Sequence, residues 1–339
     1  MRASHGNVAD MWRQTWQMRT IGFALAASNT LHHFDIMDYP PRMSKVSNHR
    51  QSVDLARFLA CFGIVAAHAY ALEDDWVGHL SLGLFLVLTG FLAMQSYQRA
   101  GGTYNFRSRA QRLLLPWLFW SAFFRLVDLK VSDSPDKWKL LQDPWTLFVG
   151  SAIHLWFLPF IILAMLLVKP VGRLVNTPDR LAAALSVLVV ASVPMFWAMY
   201  VFMPPAPLTQ WLYSLPVYAL GLLVGLAHPM GRSIWPILAG AAMAVGVYLV
   251  TEAAPWAWTI FAAVLLFEAF WRVQMQHKAL PKLGQAAFGI YLLHPFFMLV
   301  TYKFAGPDVD RMIATLATFG MSWAAVVILR RIPFFLRLT

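Results

Sequence analysis

The sequence predicts an all-α integral membrane protein: a polytopic bundle of about ten transmembrane helices, with both termini cytoplasmic. Three observations predict this. Charged residues make up 13% of the 339-residue chain and apolar residues 59%, whereas soluble domains carry about 25% charge. Mean hydropathy is +0.57. Apolar runs close to the ~20 residues that a membrane helix needs recur along the chain, separated by short polar connections.

Ten runs are expected, at 54–72, 79–97, 110–127, 152–169, 181–203, 211–228, 234–250, 255–273, 286–304 and 312–329. The third holds Arg112 and Arg125 and reads as partly interfacial. No segment repeats another, so no internal repeat is predicted. Orientation follows from the connections. Eleven Lys and Arg lie in the even-numbered ones, among them Arg99, Arg107, Arg173, Arg232 and Lys278, against five in the odd-numbered ones. The first odd connection holds Glu73, Asp74 and Asp75 and no base. The basic side is the cytoplasmic side, and an even number of spans returns the chain to the side on which it began. The net charge of +11 is therefore read as topology signal and lipid-surface contact, not as a nucleic-acid footprint.

Residues 1–49 are polar to mixed, and their apolar patch Ile21–Ala27 is too short to span. No secretory signal pattern is evident. They are expected to be a disordered tail, or residues upstream of a true start at Met43. Residues 50–331 are expected to form the transmembrane domain and 332–339 a short basic cytoplasmic tail.

An ionisable side chain inside a membrane helix is costly and is a functional candidate by default. The candidates are Asp54, Arg57, His68, Arg125, His154, Glu268 and His294. Arg57 and His68 are eleven residues apart, about three helical turns and roughly 16 Å along one face. Arg57 is then near the cytoplasmic surface, as a helix-end anchor or a functional base, and His68 lies toward the outer half. Asp54 is placed either to cap its helix or to orient Arg57. His294 follows Tyr291 by one turn and precedes Pro295, which loosens the helix. His154 opens the fourth run near the outer face, and Glu268 can pair with Arg272 at i+4. The single cysteine, Cys61, allows neither an internal disulfide nor a cysteine metal cluster. No Walker loop or GxGxxG segment occurs, nor HExxH or GxSxG, which removes support for nucleotide hydrolysis, zinc proteolysis and serine hydrolysis.

Several segments taken in order resemble one family. Asp54-Leu55-Ala56-Arg57 through His68 resembles the Arg-x10-His motif that opens the acyltransferase-3 membrane proteins. Phe85 to Phe91 resembles their "FFVLSGF" segment, with Thr89 where Ser is usual. Arg109-Ala110-Gln111-Arg112 resembles their Arg-x-x-Arg loop. His154 to Phe157 resembles a "HLWF" run, and Gly289 to His294 their late "YLLH" helix. The resemblance covers roughly 51–330 and is to the stand-alone form without an esterase-like domain.

It implies an enzyme that moves an acyl group, often acetyl, from cytoplasmic acyl-CoA to a hydroxyl of an extracytoplasmic acceptor such as a surface or lipid-linked glycan. His68 would be the catalytic histidine with Arg57. Arg109 and Arg112 would bind the donor, and Tyr291, His294, His154 and Glu268 would support the core site. No metal or bound cofactor is expected; acyl-CoA is a co-substrate, membrane lipid surrounds the chain, and the bacterial inner membrane is the expected setting. The rival reading is a transporter of a glycan or lipid intermediate, which lacks matched interrupted helices.

Overall fold

A computed structural model describes residues 50–70, 76–131 and 153–339. The N-terminal tail with Met43, the acidic connection Glu73–Asp75 and the mixed connection carrying Lys137 and Lys139 lie outside the described residues.

The described residues form helices and no strand. They are α1 (Gln51–Tyr70), α2 (Trp76–Arg99) and α3 (Phe106–Val131). An interrupted helix, α4, follows: 3₁₀ turns at Ile153–Trp156 and Met165–Leu167 alternate with α-helix over Phe157–Ala164 and Val168–Leu174. Then come α5 (Pro178–Phe202), α6 (Leu208–Ala227), α7 (Ile234–Val250), α8 (Trp258–Arg272), α9 (Leu280–Ala305) and α10 (Arg311–Leu329). Each expected run has its helix. Seven helices are long and apolar enough to cross a membrane. The chain is an all-α integral membrane protein. Of the other three described helices, α3 carries the arginines flagged in the sequence, and α7 and α8 are shorter.

Residue chemistry sets the ends. Thr177 and Asp310 accept main-chain N–H bonds at the starts of α5 and α10, supplying acceptors that the first helical turn lacks. Gly306, at φ 84°, ends α9 in a conformation that side chains disfavour.

Helix α2 is central, with α1, α6 and α8 packed around it, while α9 and α10 close against α1. Its tightest contact is with α6. A Cβ on Gly90 would lie 2.5 Å from the Tyr218 carbonyl oxygen, and one on Gly221 would lie 2.5 Å from that of Val87. Only glycine permits this backbone approach, a device common in lipid, where packing must replace the hydrophobic drive between helices. Helix α1 is joined to α9 by the Cys61 thiol donating to Ala287 at 3.3 Å and by Tyr302 donating to the Ala69 carbonyl at 3.2 Å. Phe58 and Phe62 each meet Phe319 of α10 at 5.1 Å.

The C-terminal segment turns back after α10 and packs as a strap. The Trp120 indole of α3 donates to the Leu338 carbonyl at 2.9 Å, and Phe334 and Phe335 meet Phe119 edge-on. Leu338 and Thr339 are buried, with Thr339 against Gly289 of α9.

Gly221→Leu is expected to overpack the α2–α6 crossing, a cost of about 1–3 kcal/mol. Gly320→Ala, where a Cβ meets nothing within 4 Å, is expected to leave stability unchanged or slightly improved. Thermal melting and monodispersity in detergent read both. Equal melting temperatures for the two variants would remove the crossing as a stability determinant.

Candidate active site

Three histidines from three helices meet at the end of the bundle opposite the basic connections. His68 sits in the last turn of α1, His154 in the opening 3₁₀ turn of α4, and His294 midway along α9. The His68 and His294 rings stack at 5.1 Å with 24° between planes. His154 meets His294 edge-on at 5.5 Å and Tyr291 at 5.5 Å. The Tyr291 hydroxyl donates to the main-chain carbonyl of His154, fixing the start of α4 on α9. Phe124 of α3 closes the far side of His154 at 4.9 Å.

Exposure separates the three. His154 and His294 are fully buried, whereas His68 is part-exposed. The His294 Nδ1 lies 2.6 Å from the Tyr291 carbonyl oxygen. A carbonyl only accepts, so Nδ1 carries the proton and the Nε2 lone pair is left facing inward. The arrangement can therefore hold imidazole rings in a site closed by aromatic walls, with His68 the least buried of the three rings and its Nε2 itself buried. Among the described residues no group of His, Cys, Asp or Glu is arranged to hold a metal ion; stacked imidazoles do not converge their lone pairs on one point.

The other predicted residues are placed elsewhere. Arg57 is one turn from Asp54, whose carboxylate lies 3.4 Å from its guanidinium. Asp54 is within the first turn of α1 and packs on Gly284 of α9; it orients Arg57 and is not the helix cap. Glu268 does not join the histidines, which corrects the expectation that it supports the core site. It sits in the last turn of α8, 2.8 Å from His228 and 3.7 Å from Arg272. The next turn of that helix binds the opposite end of α1: Arg50 lies over the Trp271 ring at 4.2 Å and donates to its carbonyl. Arg50 and His68 are eighteen residues apart, about 27 Å along α1. Composition alone could not separate the two ends, because Glu268 and the histidines share the same kind of apolar run.

Arg109 and Arg112 also diverge. Arg109 turns inward, donating to the Ser96 hydroxyl of α2 and lying 4.7 Å over the Tyr104 ring. Burial raises the pKa of the Tyr104 phenol, and the Arg109 charge partly opposes this. Arg112 is exposed on the outside of the same helix. Thr89, in the segment where the resemblance expects Ser, bonds back to the Phe85 carbonyl at 2.7 Å. His228 was not singled out in the sequence; only its place at the end of α6, facing the α8 carboxylate, gives it a partner.

A family model described as an acyltransferase domain matches residues 50–331. The chain belongs to the acyltransferase-3 family. It is thus a membrane acyltransferase, and the histidine cluster lies inside the matched region, as do the arginines on the basic side. The transporter reading loses its ground. No curated protein and no solved structure matches the chain.

Glu268→Gln is expected to lower the melting temperature by weakening the His228–Arg272 cluster while acyl transfer per folded molecule stays within about threefold. Tyr291→Phe is expected to lower transfer at least tenfold by freeing the start of α4. These fold-changes correspond to about 0.6 and 1.4 kcal/mol. Steady-state transfer normalised to folded protein distinguishes them, and a larger loss for Glu268→Gln would bring that carboxylate into the site.

Proposed function

We propose that this acyltransferase moves an acyl group, acetyl in the simplest case, from cytoplasmic acyl-CoA to a hydroxyl of a glycan or lipid-linked glycan on the opposite side of the membrane. The observation that carries this reading is the convergence of His68, His154 and His294 at one end of the bundle, with the inward-turned Arg109 and the Asp54–Arg57 pair toward the other.

In the proposed step His68 is the general base. A sugar hydroxyl is a weak nucleophile at neutral pH, and a positioned imidazole that takes its proton speeds attack by about 10²–10⁴. The hydroxyl oxygen bonds to the thioester carbonyl carbon and the carbon–sulfur bond breaks. The acyl group leaves as an ester on the acceptor, and the coenzyme A sulfur, departing as thiolate, recovers a proton. His294 stacks on the base and His154 backs His294, so the base is held against rotation by ring contacts. Part-exposure of His68 fits an acceptor that arrives from that end. Arginine suits the phosphates of the donor because its planar fork makes paired hydrogen bonds to phosphate oxygens. The dense Lys and Arg of the even connections favour a donor met on the cytoplasmic side, in a bacterial inner membrane.

Purified protein in liposomes with radiolabelled acetyl-CoA tests the reading. Wild type is expected to lose the thioester and label a glycan acceptor, and His68→Ala to fall at least 10²-fold. Transfer by His68→Ala at the wild-type rate would overturn the role of the base.

A further inference from the structure

The segment that follows α10 turns back into the apolar layer. Lys282 and Lys303 stand near the two ends of α9, twenty-one residues or about 31 Å apart, close to the ~30 Å of a bilayer's hydrocarbon. Gly289 is seven residues past Lys282, about 10 Å inward, and Thr339 packs against it. Leu338 is buried and accepts the Trp120 indole N–H at 2.9 Å. The strap bonds its own main chain in short turns, Phe335 to Ile332 and Leu338 to Phe335, each at 3.0 Å, which satisfies irregular backbone at this depth. Its other edge is bare. Ile332, Phe334 and Leu336 are 46%, 61% and 52% exposed, and the exposed Arg331 and Arg337 bracket them.

This corner of the basic side holds cations without acids. Residues 273–285 and 330–339 carry five Lys and Arg (Lys278, Lys282, Arg330, Arg331 and Arg337) and neither Asp nor Glu. Asp54, which packs on Gly284, is buried and paired with Arg57, and Glu268 is held by His228 and Arg272. Arg330 donates to Gln285 at 3.2 Å, which sets the start of the strap beside the opening turns of α9. Lys282 is one turn before Gln285 on the same face and is exposed. Cations near the membrane are ordinary on this side. The particular feature is their layering. The bases lie at headgroup level, and inward of them runs a bare apolar edge at the depth of acyl chains. Arg337 lies deeper, and its long side chain can return its charge to the surface. A charge left in hydrocarbon is costly, so an anion at the surface is favoured as its partner.

We propose that the strap and the opening turns of α9 form a binding site for an anionic phospholipid of the basic-side leaflet, with its phosphate held by Arg331, Arg337 and Lys282 and a fatty chain lying along Ile332, Phe334 and Leu336. Each part of the lipid has its counterpart. The guanidinium fork makes paired hydrogen bonds to phosphate oxygens, and the chain covers the apolar edge that the strap leaves bare. A zwitterionic lipid brings the same chains, but its own cation competes for the phosphate, so the site prefers a net negative headgroup. A free phosphate brings no chain and forgoes the apolar contact. A lipid seated there covers the strap from outside and holds it on Trp120. The inference is independent of which donor and acceptor the enzyme uses.

The test uses full-length protein in mild detergent, titrated with phosphatidylglycerol or with phosphatidylcholine of the same chains. Native mass spectrometry reads the bound lipid and thermal melting reads its effect. Wild type is expected to retain phosphatidylglycerol about tenfold more strongly than phosphatidylcholine and to melt higher with it. The double variant Arg331→Gln/Arg337→Gln is expected to lose that preference and the melting shift. Arg331→Lys/Arg337→Lys keeps the charges and is expected to keep most of both. Arg232→Gln, on the same side but outside this corner, is expected to change neither. Glycerol phosphate, a headgroup without chains, is expected not to displace the lipid. A preference that survives in the Gln pair, or falls equally in Arg232→Gln, overturns the site in favour of general surface charge. Displacement by glycerol phosphate overturns it in favour of a free-phosphate site. A Gln pair that keeps the lipid preference and binds coenzyme A more weakly assigns the bases to the donor and also overturns it.

Discussion

The glycine crossing of α2 and α6 is the contact on which the rest of the bundle depends. A Cβ on Gly90 or Gly221 would fall 2.5 Å from a facing carbonyl oxygen, so the two backbones have no slack, and α2 becomes a fixed post. Helix α1 packs on one side of it and α8 on another, so His68 and the Arg50–Trp271 contact inherit their positions from that crossing. In lipid a small-residue contact does what a hydrophobic core does in water: it gives the van der Waals gain that makes one packing preferable to its neighbours.

Polar groups are then sorted by end. Asp54 and Arg57, and Glu268 with His228 and Arg272, are paired near the basic side. Pairing lowers the cost of burying each charge. The histidines at the other end are arranged differently. Their described contacts include rings and main-chain carbonyls, which restrict rotation.

Hydropathy made the ten helices legible because lipid penalises every polar residue in a span, and the penalty is written directly into composition. Axial position was legible for the same reason. The eleven-residue step from Arg57 to His68 places one near the basic end and the other near the far end, and the structure has them there. What could not be read was which helix faces which. His154 and His294 are separated by 140 positions, and their contact depends on Tyr291 reaching the His154 carbonyl. Glu268 looked like a fourth member of the site, since apolar runs on either side of it carry no information about depth relative to another helix; the partner that decides its place, His228, is forty residues earlier. Arg109 and Arg112 share a motif and lie on neighbouring positions of one helix face, yet Arg109 meets Ser96 while Arg112 is exposed, a difference set by where α2 packs and not by the motif.

The loosest part of the bundle follows from the same sorting. Helix α3 carries arginines along its length and cannot settle among apolar neighbours as α2 does. It leans on α4 and on the C-terminal strap through Trp120 and Phe119. A helix that is both partly polar and lightly packed is held by fewer tight contacts than its apolar neighbours are. The strap occupies the side of α3 toward Gly289, two residues before Tyr291, so α4 and the strap, not the α2–α6 crossing, set where α3 rests.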